Sequence, residues 1–422
     1  MSNGQYEDQK RPLPISKKKI DKAAQSIRHG IEGTERLEAI AKIQIFREFH
    51  LYPLMLMKNH LVRTARKVNP KIVVARRLKR LPTIINKLER STLDGETHNA
   101  IKFTRMQDIA GCRAIVKNKT ELYALKERLE SSKSVHRIKR TKDYLSSPKN
   151  SGYGGLHLIY SCYDGQDDSN PWKGTQAEIQ LRTKLQHAWA TSLEIIDTLE
   201  NIELKTSLTG NASWRRFFYV AGQLVAHDEE LCLLTEKQHM DLVTEFSQLN
   251  TELNVYQKIQ HYNIAIDASS RGFKNKKNGK GLFLVRMAKN DIKNDKLVAT
   301  VDYYKRTQAK QALSELNTSE LDEKYLMAVL VSAESVRSLK QAYPNYFGSS
   351  RQFTAFIVKQ IAAHAKYLYR DSINHLEFLI DKEAKVHLTA EEMKIKNELI
   401  QVLKKSEATF SKLNSNNRIK NS

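Results

Sequence analysis

The chain has 422 residues, with 70 Lys and Arg against 47 Asp and Glu, and carries a net charge of +23. That length favours two or more domains, and an apolar content of 40% supports a folded core and excludes wholesale disorder. No apolar run approaches the roughly 20 residues of a membrane-spanning helix, no basic-then-apolar leader opens the chain, and Cys112, Cys162 and Cys232 lack metal-ligand spacing, so a cytoplasmic protein with reduced thiols and no membrane partner is expected.

In chain order, residues 1–14 are polar and are expected to be a disordered N-terminus. Residues 15–50 read as helices, with Ile20, Ile27 and Ile31 on one side and then Leu37, Ile40, Ile43 and Phe46. From Lys58 to Arg90 eleven cations face one acid, Glu89. A helix face with so little i,i+4 pairing repels itself unless anions bind, and this stretch is expected to stay helical through Leu78, Ile84, Ile85 and Leu88. The period then changes. Residues 108–116 read as a central strand, 120–131 as an amphipathic helix, 135–140 as a short strand, 143–155 as a loop, and 156–163 and 176–182 as strands. The pattern is helical from 185 to about 260. After a basic loop at 269–281, residues 282–287 and 297–303 read as a strand pair, 307–316 as a helix, 326–331 as a strand and 334–342 as a helix. The tail is helical to about Leu413, with capping-box spacing at Thr389 and Glu392. This alternation implies an α+β fold with one mixed β-sheet flanked by helices. The expected division is a core over 15–235, a connector and linker over 236–280, and a smaller C-terminal α+β and helical unit over 281–422.

Five features in the core carry chemistry. Arg77, Lys79, Thr83 and Lys87 combine cations with a hydroxyl in a spacing that suits a triphosphate, and equally a solvated basic helix. Asp108 opens the strand that bears Arg113; a carboxylate there suits magnesium or a structural ion pair. Lys149, Gly152, Tyr153, Gly155 and His157 bring a cation, an aromatic ring and close backbone approach to one loop, or simply connect two strands. Glu178, Gln180 and Arg182 share one strand face opposite Ile179 and Leu181, and polar groups on an interior strand need a ligand or solvent. Trp189 reads as core packing, and Glu194 as support for the site.

The order and spacing of these segments resemble the synthetase domain of the RelA/SpoT family. The similarity rests on the Arg-x-Lys segment, Gln107 to Val116, Lys142-Asp-Tyr144, Pro148-Lys149, Gly152-Tyr153 with His157, and Glu178 to Thr183 with Trp189-Ala190. It covers about residues 45–235. The resemblance implies a nucleotidyltransferase-like fold and transfer of pyrophosphate from ATP to the 3′-hydroxyl of GDP or GTP, giving ppGpp or pppGpp and AMP. It implies that Arg77 and Arg113 hold adenine and nearby phosphates, and that Lys79 and Lys87 bind the donor phosphates. Asp108 and Glu178 would hold magnesium (Mg2+), Glu178 also assisting deprotonation of the acceptor. Tyr153 would stack on the acceptor base, Lys149 and His157 would contact phosphates, and Gln180 and Arg182 would support the site.

Two positions depart from the family pattern. Ser151 stands where Asn is usual, and Gly154 where a polar or basic residue is usual. Both lie on the acceptor side, so a toxic relative that modifies the tRNA 3′-end, with an antitoxin or regulatory partner, is kept as an alternative acceptor class. A non-catalytic RNA-binding protein on the same scaffold is the third reading. Hydrolase activity is not expected, because His227-Asp228 lacks the further ligands of a metal site. Short family members often form homo-oligomers.

Overall fold

The computed structural model describes residues 9–92, 98–145, 151–164, 169–200, 202, 204, 211–260, 281–290, 296–322, 324–333 and 351–419. The expected helix at 334–342, the basic loop at 269–281 over all but its last residue, and Lys149 lie outside them. Two compact units emerge: Met1–Leu233 with Leu249–Thr354, and Leu234–Gln248 with Ala355–Ser422. Among the described residues no helix is long and apolar enough to cross a membrane.

The first unit is built on an eight-stranded mixed sheet. Three helices, α1 (Lys17–Arg28), α2 (Gly33–Phe49) and α3 (Leu51–Val68), precede β1 (Val73–Leu78) and α4 (Leu81–Glu89). Then come β2 (Ala110–Val116), α5 (Lys119–Glu130), β3 (Arg137–Asp143), β4 (Leu156–Ser161), β5 (Gln176–Thr183), α6 (Lys184–Leu199) and α7 (Ala212–Asp228). After α8 (Glu236–Leu253) the chain adds β6 (Gly281–Asn290), β7 (Lys296–Tyr304), α9 (Ala309–Leu321) and β8 (Tyr325–Ala333). The strand order is β3-β4-β5-β2-β1-β8-β6-β7. Strands β2 and β5 run parallel, and the other described pairings are antiparallel.

Two expectations change here. The basic stretch is not one helix: residues 73–78 form β1, which pairs with β2 from Val73↔Ile115 to Leu78↔Ala110. The run Ile72-Val73-Val74 is β-branched and favours a strand, and pairing with β2 overrides the helix expected through Leu78. Nor do residues 281–333 form their own sheet. They continue the core sheet through β8, which meets β1 at Arg76↔Ser332. Ala75 of β1 and Ile195 of α6 share a buried cluster with Phe283, Val285, Met287, Val329 and Val331. Helix α9 packs Ala312, Leu313 and Leu316 against Leu284 and Ala328.

Strand alternation sorts the core half of the sheet into two faces. One face buries Cys112, Ala114, Leu156, Leu158, Ile179 and Leu181 under Leu54, Met57 and Leu61 of α3 and Leu122, Leu125 and Leu129 of α5. The other face carries the polar set. The register aligns Arg77 with Gly111, Gly111 with Glu178, Arg113 with Gln180, and Gln180 with His157. Thr183 closes β5 and caps α6 in a reciprocal capping box with Gln186.

The second unit is helical. It comprises part of α8, most of α10 (Arg351–Lys385), and α11 (Ala390–Ile419). Phe246 and Phe356 meet with centroids 5.8 Å apart, and His239 Nδ1 lies 2.9 Å from the Tyr367 hydroxyl. The expected capping box opens α11: Glu392 N–H donates to Thr389 Oγ1 at 3.2 Å, and Thr389 N–H donates to Glu392 Oε2 at 3.0 Å.

Sheet continuity has a measurable consequence. Phe283 is fully buried, and Phe283→Ala should cost about 3–5 kcal/mol. Because β8 and β1 are paired, amide exchange should quicken in β1 and β2 as well as in β6–β8. Acceleration confined to β6–β8 would show that residues 281–333 fold as a separate unit.

Candidate active site

The polar face of the sheet gathers two side-chain clusters. The first is built where β1 passes into α4. Arg77 ends the face of β1, Lys79 follows the strand, and Thr83 and Lys87 lie on α4. The Lys79 N–H donates to the Ile109 carbonyl at 2.8 Å, which ties the end of β1 to the turn that precedes β2. Asp108 sits in that turn. Its Oδ2 is 2.9 Å from Lys79 Nζ and its Oδ1 is 3.5 Å from Lys87 Nζ. Burial works to raise the Asp108 carboxyl, but the two ammonium groups outweigh it and hold its pKa at about 2. Burial also lowers the Lys79 ammonium; Asp108 opposes that effect and Lys87 adds to it.

The second cluster spans β4, β5 and the loop before β4. His157 Nδ1 lies 2.7 Å from Glu178 Oε1, and Tyr153 Oη lies 2.6 Å from His157 Nε2. Gln180 Nε2 donates to Glu178 Oε2 at 2.7 Å. Arg182 Nε donates to Tyr153 Oη at 3.1 Å, and its Nη2 donates to Gln180 Oε1 at 3.0 Å. With Glu178 ionised and Arg182 a pure donor, two directions follow: Arg182 donates to Tyr153, and His157 Nδ1–H donates to Glu178. Burial works to raise the Glu178 carboxyl; the bonds from His157 and Gln180 outweigh it, and the net pKa is lowered. The charge of Asp108 is felt at Glu178 and opposes its ionisation, which places the two clusters within electrostatic reach of one another.

Tyr153 is held on several sides. The Arg182 guanidinium carbon lies 5.1 Å from its ring centroid, and Tyr144, His157 and Trp189 meet it at 5.9, 5.5 and 6.1 Å. Its backbone is placed by a glycine contact. Gly152 adopts φ +79° and lies against α7 at Gly222, where a Cβ would come within 1.9 Å of the Gly152 carbonyl oxygen. Only glycine at both positions permits that approach. Burial pushes the Tyr153 phenol above its ordinary value, with Arg182 opposing.

Of the residues singled out in the sequence, Lys79, Lys87 and Asp108 meet in one cluster, and Tyr153, His157, Glu178, Gln180 and Arg182 in the other. Arg77 and Arg113 lie on the same sheet face, with Arg113 close enough for its charge to act on Tyr153. Glu194 occupies a half-buried position on α6. Gly111, between Arg77 and Glu178, adds no side chain to that face.

The donor set fits a magnesium ion. Asp108 and Glu178 offer hard oxygens, and each oxygen retains a lone pair beyond its present hydrogen bond. A magnesium ion bound by one or two carboxylates takes its remaining ligands from phosphates and water. No group of three or more ligating side chains occurs among the described residues.

Sequence reading did not single out Gly222, Tyr144 as a wall of the slot, or Arg47 and Glu320, described below. A glycine inside the helical run Val220-Ala-Gly-Gln-Leu224 is a legible sign of close approach. The other three belong to contacts that no local pattern announces.

The acid dependence of stability tests the first cluster. A carboxylate whose pKa is depressed in the fold contributes stability above its unfolded value, here 3.8, which is lost as pH falls toward about 2. Stability should therefore drop across that window in the wild type and drop less in Asp108→Asn. Parallel pH profiles from denaturant unfolding would contradict the assignment.

Comparison with known proteins finds similarity over the part of the chain that holds these residues. Residues 76–195 match the family model described as the region found in RelA/SpoT proteins. A protein of Bacillus subtilis (strain 168) named GTP pyrophosphokinase YwaC is 33% identical over 115 residues, covering 27% of this chain and 52% of that protein. The match thus spans about half the length of that relative. Among solved structures, small alarmone synthetase 1 from Bacillus subtilis bound to its product pppGpp has 24% identity, covers 43% of this chain and 92% of that chain, and gives a TM-score of 0.34. Small alarmone synthetase 2 from Bacillus subtilis also has 24% identity, covers 45% and 93%, and gives a TM-score of 0.34. Residues 76–195, which hold both side-chain clusters from Arg77 to Arg182, are the part of this chain that matches the region found in RelA/SpoT proteins.

Proposed function

We propose that the chain is a magnesium-dependent pyrophosphokinase that transfers the β,γ-pyrophosphoryl group of ATP to the 3′-hydroxyl of GDP or GTP. The observation that supports this reading is a pair of ionised carboxylates within electrostatic reach of one another, Asp108 in the turn before β2 between Lys79 and Lys87, and Glu178 on β5 between His157 and Gln180. The RelA/SpoT-type region and the relative named a GTP pyrophosphokinase support it.

Lys79 and Lys87, with Arg77 on the adjoining strand, form a cationic wall for the donor phosphates. Magnesium, when bound, supplies charge neutralisation at the triphosphate, and Asp108 and Glu178 are the residues that would hold it. The acceptor's 3′-oxygen forms a bond to the β-phosphorus of ATP. The bond from that phosphorus to the oxygen shared with the α-phosphate breaks, and AMP leaves with the electron pair. Glu178 is a weak base because its pKa is lowered, so its part is to orient the hydroxyl and receive its proton as negative charge leaves the attacking oxygen. His157 and Gln180 fix both carboxylate oxygens, which reduces reorganisation during the step. Tyr153 and Tyr144 form the aromatic side of the acceptor slot.

A second acceptor, the 3′-end of a tRNA, is favoured by one feature. Edge strand β3 carries Arg137, Lys139, Arg140 and Lys142, and the register puts Lys142 opposite His157 and Arg140 opposite Ile159 on the site face. A row of cations leading away from the site suits a polyanion longer than a nucleotide.

ATP labelled on its γ-phosphate, supplied with magnesium and either GDP and GTP or bulk tRNA, separates the readings. Label should appear in the guanine nucleotide; label in tRNA instead supports the second acceptor. No transfer, together with RNA binding unchanged in Glu178→Gln, would favour a non-catalytic RNA-binding role. Asp108→Ala and Glu178→Ala should each lower transfer by about a thousandfold with the fold retained, and substantial activity in both would sink the proposal. Gly222→Ala should raise the acceptor KM about tenfold, a loss of about 1.4 kcal/mol, while leaving the ATP KM in place. Equal effects on both substrates would show that the glycine contact does not serve the acceptor side.

A further inference from the structure

Arg47 on α2 and Glu320 on α9 form an enclosed ion pair, with side chains 1% and 2% exposed and Arg47 Nη1 2.9 Å from Glu320 Oε2. Neither residue belongs to the region 76–195. Burial lowers the Arg47 guanidinium and raises the Glu320 carboxyl, and each charge opposes the effect on the other. An enclosed pair of this kind adds little stability by itself, since apolar side chains of similar volume serve a core as well. Its other contacts are specific. Arg47 Nε donates to the backbone carbonyl of Lys79 at 2.7 Å. Glu320 Oε1 accepts from the Leu81 N–H at 3.3 Å, in the first turn of α4, the helix that carries Lys87. The Lys79 N–H is already bound to the carbonyl of Ile109, next to Asp108. The peptides on both sides of Lys79 are therefore fixed, one to the Asp108 turn and one to Arg47.

We propose that the Arg47–Glu320 pair is a positioning device for the donor-phosphate lysines, through which the C-terminal segment containing α9 completes the donor side of the site. Arg47 sets the Lys79 peptide, and Glu320 sets both Arg47 and the start of α4. The proposal rests on the reading of Lys79 and Lys87 as ligands of the ATP phosphates.

Two full-length variants test it. Arg47→Lys keeps a cation against Glu320 but has no Nε–H for the Lys79 carbonyl. The double variant Arg47→Met with Glu320→Leu removes both charges together, and so keeps the fold should the first variant lose it. Each folded variant should raise the ATP KM about tenfold or more, with the acceptor KM within about twofold of wild type. Folded variants with a wild-type ATP KM, or with both KM values shifted equally, overturn the proposal. If the wild-type chain transfers nothing from ATP, the functional reading fails and the positioning is judged separately. Acylation of Lys79 by an amine-reactive ester, mapped by mass spectrometry, should then quicken in both variants relative to a surface lysine such as Lys18. An unchanged rate at Lys79 would overturn the positioning claim even without turnover.

Discussion

Charge matching at Asp108 governs the first side-chain cluster. Lys79 and Lys87 repel one another, and the carboxylate lies between them, 2.9 and 3.5 Å from the two ammonium groups. In a chain of net charge +23, cations converging on a half-buried face need a local anion, and without a nucleotide Asp108 supplies it. The same geometry explains why the acid is held ionised despite burial. It also gives a physical reason for the arrangement of β1 and β2. Their antiparallel register from Val73↔Ile115 to Leu78↔Ala110, continued by the Lys79–Ile109 backbone bond, brings a residue from each side of the pair to one point.

Glu178 is stabilised by different means. Its neighbours are a histidine and an amide rather than lysines, so its charge is met by oriented hydrogen bonds. Asp108 adds repulsion across the face. The two carboxylates thus keep their charge by different means, one beside two lysines and one under oriented donors. The second cluster is equally constrained. Tyr153 is fixed by Arg182, His157, Tyr144 and Trp189, and its backbone by the Gly152–Gly222 approach. Ser151 and Gly154, the two departures from the resembled pattern, flank this segment, whose framework is set by contacts elsewhere.

How much was legible in the sequence follows from the range of each interaction. Period-2 alternation in Glu178-Ile-Gln-Leu-Arg182 is local, and β5 presents its polar face as read. The strands at 108–116, 156–163 and 176–182 and the capping box at Thr389 appear close to their expected bounds. Residues 73–78 depart from the helix expected through Leu78 because β-branched Val73 and Val74 and a partner strand nearly 40 residues away decide their conformation. The division at 280 was misread for a related reason. A polar, glycine-containing loop marks a connection, but not whether the strands beyond it begin a new sheet or extend an old one. The pairing Arg76↔Ser332 spans more than 250 residues, and no pattern within either segment announces it. Arg47 and Glu320 were unreadable on the same ground.

That extension of the sheet changes the mechanical standing of the donor strand. In the order β3-β4-β5-β2-β1-β8-β6-β7, β1 would be an edge if β8, β6 and β7 were absent. Edge strands have unpaired backbone groups and less support than interior ones. β1 bears Arg77 and leads into Lys79, so an edge position would leave the cationic wall on the least supported strand of the core. β8 makes it interior, Val329 and Val331 pack with Ala75, and α9 on the same extension supplies Glu320. The geometry of the lysine cluster is therefore a property of the whole first unit, including residues that lie some 125 positions beyond the end of the region matched at 76–195.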